Sequence, residues 1–251
     1  MIGKFEYMAG KTLAYNDFGP KEGAAVLVQH GTTASIRDTD LFDELSVRRR
    51  VICIARPGYG ESSPHILENF LEYGKLIEKL AAELGLEKFD VLGSSAGAPY
   101  AYAIAKACPA QTGNVYIYSG TPALYDTEIQ KNWPFPVSKD LSIEEAQKIA
   151  YEVFYSHYSE EDRKKSDVKD SMANNCFGEG QNLRIRFKDW GFTLPELKAK
   201  VYMRHSKKDE ALPYALTQRT ADLLRGCELE LLEEGGHFSV EGFKSFLRRI
   251  I

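Results

Sequence analysis

The stretch Gly93-Ser94-Ser95-Ala96-Gly97 sets two hydroxyls between glycines, directly after the apolar run Phe89–Leu92. Only Ser95 is flanked by glycine at both −2 and +2; the same test on Ser94 meets Leu92 and Ala96. A G-x-S-x-G pattern that leaves a strand and enters a helix lifts its middle serine onto a sharp, exposed turn. Small flanking residues are needed because side chains there would strike the neighbouring strand and helix. Taken by itself, Ser95 would serve equally as a helix N-cap. As a nucleophile it needs a base to take its proton. Of the five histidines, His237 stands in "LLEEGGHFSVEGF", after the last expected strand, with Gly235-Gly236 allowing the loop to bend inward. A carboxylate must then orient that imidazole and stabilise its protonated form. Asp209 in "VYMRHSKKDEALP" follows the preceding strand, and the adjacent Glu210 is its alternative. A developing oxyanion needs two N–H donors. One is that of Ala96, next after the serine; the other is that of Thr32 or Thr33 in His30-Gly31-Thr32-Thr33, after the apolar run Ala25–Gln29.

These groups lie far apart in the chain, so the elements between them must bring them together. Ala25–Gln29 and Val51–Ala55 are short continuous apolar runs, the mark of strands buried on both faces. Phe5–Met8 and Lys11–Phe18 predict an N-terminal hairpin around Ala9-Gly10. Asn69–Leu84 carries apolar residues at helical spacing and stops at Gly85; Ala96–Ala107 predicts a second helix, ended by Pro109. Val115–Tyr118 continues the strand–helix–strand rhythm, which means parallel βαβ units. The rhythm breaks over residues 121–195, where Ser142 to Glu145 forms a capping box and Ser159 to Asp162 a second helix start. It resumes with Val201–Arg204, a helix near Tyr214–Leu224, the strand Glu228–Leu232 and a last helix Val240–Ile250. The expected architecture is an α/β core, residues 1–120 and 196–251, interrupted by a helical insertion, residues 121–195. The insertion holds Trp133, Phe135, Phe154, Tyr155, Tyr158, Phe177, Phe187 and Trp190, most of them expected to pack its helices together. Trp190-Gly191-Phe192 is either a hinge or a packing anchor.

The blocks "VLVQHGTTAS", "IARPGYGESS", "VLGSSAGAPYA", "HSKKDEALP" and "EEGGHFS" resemble, in order and spacing, the signature blocks of the α/β-hydrolase superfamily, in particular its single-domain, lid-bearing esterase-like members. The resemblance implies a mostly parallel sheet of about eight strands flanked by helices, with residues 121–195 as a lid. It implies Ser95 as nucleophile, His237 as base, Asp209 as acid, and Thr32 and Ala96 as the oxyanion hole. The Arg56 to Ser63 block corresponds to a structural turn after the fourth strand, with no catalytic role. Two departures are Ser206, where many relatives carry glycine, and Thr32, where many carry a bulky apolar residue. Dehalogenases and epoxide hydrolases of the superfamily use an aspartate at the elbow, and prolyl aminopeptidases a tryptophan after the serine; Ser95 and Ala96 exclude both.

Composition bounds the rest. With 251 residues, 43% hydrophobic and 27% charged, the chain is long enough for a sizeable core. A net charge of −4 argues against a nucleic-acid surface, and Arg48–Arg50 is expected as a solvated strand entry. MIGKFEYMAG contains no apolar core of a secretory signal, and no apolar run reaches membrane-spanning length. Cys53, Cys108, Cys176 and Cys227 are scattered, which fits free thiols in a reducing cytoplasm and no metal site. The expected activity is hydrolysis of a small ester or related acyl substrate through an acyl-enzyme, without cofactor. The same triad could instead serve C–C bond hydrolysis, lyase or cofactor-free oxygenase chemistry, or the fold could act as a ligand-binding module.

Overall fold

The computed structural model describes residues 2–251. Eight strands, β1 (Ile2–Met8), β2 (Lys11–Phe18), β3 (Ala25–Gln29), β4 (Val51–Ile54), β5 (Phe89–Ser94), β6 (Thr112–Tyr118), β7 (Lys200–Ser206) and β8 (Glu228–Leu232), form one sheet in the order β1-β2-β4-β3-β5-β6-β7-β8. The β1–β2 hairpin is antiparallel, β2 meets β4 antiparallel, and all later pairings are parallel. Nine α-helices are present among the described residues: α1 (Asp40–Asp43), α2 (Phe70–Glu83), α3 (Ala98–Ala107), α4 (Thr127–Lys131), α5 (Ile143–Ala150), α6 (Ser166–Ser171), α7 (Ala173–Ile185), α8 (Tyr214–Asp222) and α9 (Val240–Leu247).

The continuous apolar runs divide between two cores because successive strand side chains point to opposite faces. Ala25, Leu27, Ile52, Ile54 and Val91 face the core made with α2 and α3. Val26, Val28, Val51, Cys53 and Leu92 face the other, closed by α9 and the Phe42 turn. Helix α2 begins where expected, since the Asn69 side chain accepts the Glu72 N–H as an N-cap. Gly74 of α2 lies against the Ala103 carbonyl of α3, at a distance no β-carbon could occupy.

Within residues 121–195 the Ser142/Glu145 capping box is present, and the helix it opens runs on through a π-helical turn, Tyr151–Tyr155. Ala146, Ala150, Tyr155, Cys176 and Leu183 make a small core of its own. Asn174, Asn175 and Cys176 at the start of α7 form a left-handed turn, with φ of 53°, 58° and 60°. The Gln147 amide donates to the Asn174 and Asn175 carbonyls, and the Asn174 amide to that of Gly58, which offset the strain. Trp190 is fully buried between Phe70 and Tyr125, so Trp190-Gly191-Phe192 anchors the insertion to the main core.

Of the expected solvated entry at Arg48–Arg50, only Arg48 is exposed. Arg49 pairs with Asp90 and donates to the Ile250 carbonyl, and Arg50 makes two bonds to Asp17. Strands β4, β5 and β2 bring those carboxylates beside the run, which the local sequence cannot display.

Candidate active site

The expected site residues follow the C-terminal ends of four parallel strands. Gln29 of β3 leads into His30–Thr33, β5 into Ser95, β7 into Asp209 and β8 into His237. In an open parallel sheet this edge is where loops converge on a ligand.

Ser95 has a φ of 49°, the left-handed conformation of a sharp strand-to-helix turn. The flanking glycines permit that turn by their size. A β-carbon on Gly97 would lie 2.2 Å from the Gln29 carbonyl oxygen, and one on Gly93 would lie 2.9 Å from the Ala101 β-carbon. The turn passes through a 3₁₀ segment, Ser95–Gly97, into α3, whose N-terminal dipole favours negative charge at the elbow. Ser94 occupies the end of β5 and borders the same cavity as Ser95.

Ser95 Oγ lies 3.0 Å from His237 Nε2, and His237 Nδ1 lies 2.8 Å from Asp209 Oδ2. With the imidazole proton on Nδ1, Nε2 is free to accept the serine proton. The Asp209 side chain is fully buried, and its other oxygen accepts the N–H groups of Ala211 and Leu212 at 2.9 and 2.8 Å. Glu210 is exposed, so the structure brings Asp209 and not Glu210 to the imidazole. Ser206, the departure before this loop, is accommodated: its hydroxyl accepts the Lys208 N–H.

A second imidazole completes the set. His205 on β7, which the sequence reading passed over, is buried with Nε2 2.8 Å from the Leu212 carbonyl and 3.3 Å from Asp209 Oδ2. The Thr217 hydroxyl meets its Nδ1 at 3.2 Å. Burial pushes the His205 pKa down, so the ring is neutral and its Nε2–H is shared between the carbonyl and the carboxylate. The available sequence signal was a histidine four residues before the acid, on an apolar strand.

The loop after β3 crosses directly over the elbow; a β-carbon on Gly31 would touch that of Ser95 at 3.5 Å. Arg56, assigned no catalytic role, is buried beneath this loop and shapes it. Its guanidinium donates to the carbonyls of His30 and, at 3.0 Å, Gly31. The Thr32 carbonyl accepts from Tyr155 at 3.1 Å and meets the Tyr59 hydroxyl at 3.0 Å. A trans peptide points its N–H opposite its carbonyl. With the Gly31 and Thr32 carbonyls tied to buried partners, the N–H groups of Thr32 and Thr33 are directed to the other side. Thr32, Thr33, Ser95, Ala96 and His237 all border one cavity.

That cavity has a volume of about 1130 Å³. Trp133, Phe135, Phe154, Tyr158 and Phe187 line it, which corrects the expectation that most insertion aromatics serve only to pack its helices. Four of these five also pack: Trp133 and Phe187 are buried in the main core and Phe154 and Tyr158 lie against the small core around Tyr155, so their outer faces wall a space large enough for a small molecule.

Comparison with known proteins gives the family and the fold. The sequence model of the alpha/beta hydrolase family matches residues 25–242. The chain is similar, at 22% identity over 227 residues, to a 2-hydroxy-6-oxononadienedioate/2-hydroxy-6-oxononatrienedioate hydrolase from Cupriavidus pinatubonensis, covering 80% of this chain and 75% of that protein. Among solved structures it is similar to an esterase from Exiguobacterium antarcticum, with a TM-score of 0.73 at 19% identity over 98% of each chain. A bromoperoxidase from Bacillus anthracis has the same fold, with a TM-score of 0.73 at 17% identity over 99% of this chain and 96% of that one.

Proposed function

The chain belongs to the alpha/beta hydrolase family, and from that premise we propose that it is a serine hydrolase of small esters or related acyl substrates. The observation that carries this is the unbroken chain Ser95 Oγ, His237, Asp209, at 3.0 and 2.8 Å, opening on the cavity. His237 takes the Ser95 proton as Oγ attacks the substrate carbonyl. The charge developing on the carbonyl oxygen is met by the N–H groups of Ala96 and Thr32. His237⁺, stabilised by Asp209, returns the proton to the leaving alkoxide, and an acyl-enzyme forms. Water, deprotonated by His237, attacks that ester, and collapse restores Ser95. These steps need no metal or organic cofactor. Residues 121–195 act as a lid that carries the apolar wall and limits water at the acyl-enzyme. Among the described residues no helix is long and apolar enough to cross a membrane, and four free cysteines favour a cytoplasmic setting.

The test is fluorophosphonate labelling with turnover of a panel of 4-nitrophenyl esters. Wild type is expected to label and turn over, and Ser95→Ala to lose both by a factor of about 10³ or more. Labelling that survives in Ser95→Ala overturns the assignment. A second reading is favoured by the relative from Cupriavidus pinatubonensis, whose name describes hydrolysis of a 2-hydroxy-6-oxo dienoic diacid. The same serine could attack a ketone and release a carbon leaving group. Turnover of a 2-hydroxy-6-oxo-2,4-dienoate exceeding that of every ester would favour it.

A further inference from the structure

The cavity is walled mainly by apolar side chains, and Arg186 interrupts this wall. Arg186 follows α7, its backbone held by its N–H bond to the Asn182 carbonyl and by the Trp190 indole N–H on its own carbonyl. Its guanidinium lies 4.7 Å from the Phe187 ring and 5.8 Å from that of Trp133. Ring faces hold the guanidinium plane but offer its five N–H donors no acceptor of ordinary strength. Among the described residues it makes no side-chain hydrogen bond and no ion pair with protein, and its Nε is buried without a partner. The Trp133 indole N–H, on the same cavity wall, is likewise buried and unpartnered.

The charges around it do not balance. Glu179 is the carboxylate that acts on Arg186, and it acts on buried Arg56 as well. Its oxygens are already engaged, one by the Asn182 amide and the other by the Tyr59 hydroxyl. Burial pushes the Glu179 pKa up, which weakens it as a counter-charge. Two guanidiniums thus share one carboxylate that hydrogen-bonds neither. Asp38 and Asp167 also border the cavity, but Asp38 is bonded to Ser166 and its nearby charges are the acids Asp167, Asp170 and Asp40. Arg186 is half-buried with its Nε out of solvent, and a charge drawn out of water normally has a partner. Here the free donors face the space that Ser95 and His237 border.

We propose that Arg186, with the Trp133 indole N–H, binds a carboxylate carried by the substrate itself. The substrate class is then an ester with an apolar body and a carboxylate remote from the scissile carbonyl. This rests on the serine-hydrolase reading for the reaction, but the binding claim can be tested without turnover.

Two matched pairs of substrates differ only in that charge. 4-Nitrophenyl hydrogen adipate and the 4-nitrophenyl ester of adipic monoamide vary the acyl end. 6-Acetoxyhexanoate and 6-acetoxyhexanamide vary the alcohol end. Wild type is expected to prefer the carboxylate member of at least one pair in kcat/KM by about ten- to a hundredfold, the range for a hydrogen bond to a charged group. Arg186→Met should cut that ratio at least tenfold, and Arg186→Lys should restore part of it. Independently of turnover, calorimetric titration of Ser95→Ala with hexanoate and hexanamide should show at least tenfold tighter binding of the acid. That advantage should vanish in Ser95→Ala/Arg186→Met. No wild-type preference in either pair, together with equal binding of hexanoate and hexanamide, overturns the proposal even if Arg186→Met fails to fold. A preference that Arg186→Met leaves intact overturns it too. Loss of ester turnover with a retained Arg186-dependent binding difference would instead indict the serine-hydrolase reading alone.

Discussion

Replacing Asp209 by Asn tests the whole charge relationship with a change of one atom. The carboxylate accepts on both sides: Ala211 and Leu212 N–H on Oδ1, His237 Nδ1–H and the more distant His205 Nε2–H on Oδ2. An amide keeps only one accepting oxygen. If that oxygen faced the imidazoles, the NH₂ would oppose two backbone N–H groups, leaving two buried donors unsatisfied at about 1–3 kcal/mol each. The oxygen therefore stays with Ala211 and Leu212, and the NH₂ turns towards His237 Nδ1. His237 must then accept at Nδ1 and carry its proton on Nε2, where it points at Ser95 and cannot take the serine proton. A loss of about 10³–10⁴ in kcat/KM is expected, the scale seen when a triad histidine is held in the wrong tautomer. The assay is 4-nitrophenyl ester hydrolysis at neutral pH, with circular dichroism to establish the fold and Glu210→Gln as control. A folded Asp209→Asn protein with more than a tenth of wild-type activity would refute the reasoning, and so would an equal loss in Glu210→Gln.

Three further outcomes follow from the structure. Gly97→Ala would force a β-carbon to within 2.2 Å of the Gln29 carbonyl oxygen; a loss above about 3 kcal/mol is expected, visible as a lowered urea midpoint, and an unchanged midpoint would contradict the packing. Burial lowers the His205 pKa below its ordinary value. Between the two values the unfolded chain binds the proton and the native chain does not, so stability falls as pH drops below about 6.5, by up to about 1.4 kcal/mol per unit. Comparing melting temperatures at pH 7.5 and 5.5, the decline should be smaller in His205→Gln than in wild type; identical declines would argue against it. Burial also raises the thiols of Cys53, Cys108 and Cys227 to about 12 and that of Cys176 to about 11. Iodoacetamide at pH 8 should leave the native protein unmodified and label all four cysteines in urea, as mass spectrometry would record.

Much of this protein is legible in its sequence because strand, turn and helix are local events. Continuous apolar runs, the helical spacing after Asn69, the Ser142 capping box and the glycines around Ser95 each act within a few residues, and each forms the element its pattern predicts. The order Ser95, Asp209, His237 was readable too, since each follows a strand and parallel strands end on one edge. What the tertiary structure alone decided involves partners distant in the chain. Asp209 is distinguished from Glu210 by an imidazole 28 residues away, and Ser95 meets that imidazole across 142 residues. Arg56 reads as part of a turn until the loop after β3 folds over it. The roles of the insertion aromatics were open for the same reason: their types favour burial anywhere, and only the packed structure shows which of them also border the cavity. Arg186 is one basic residue among 32 in the sequence. Its isolation from any free carboxylate exists only once the insertion has closed around it.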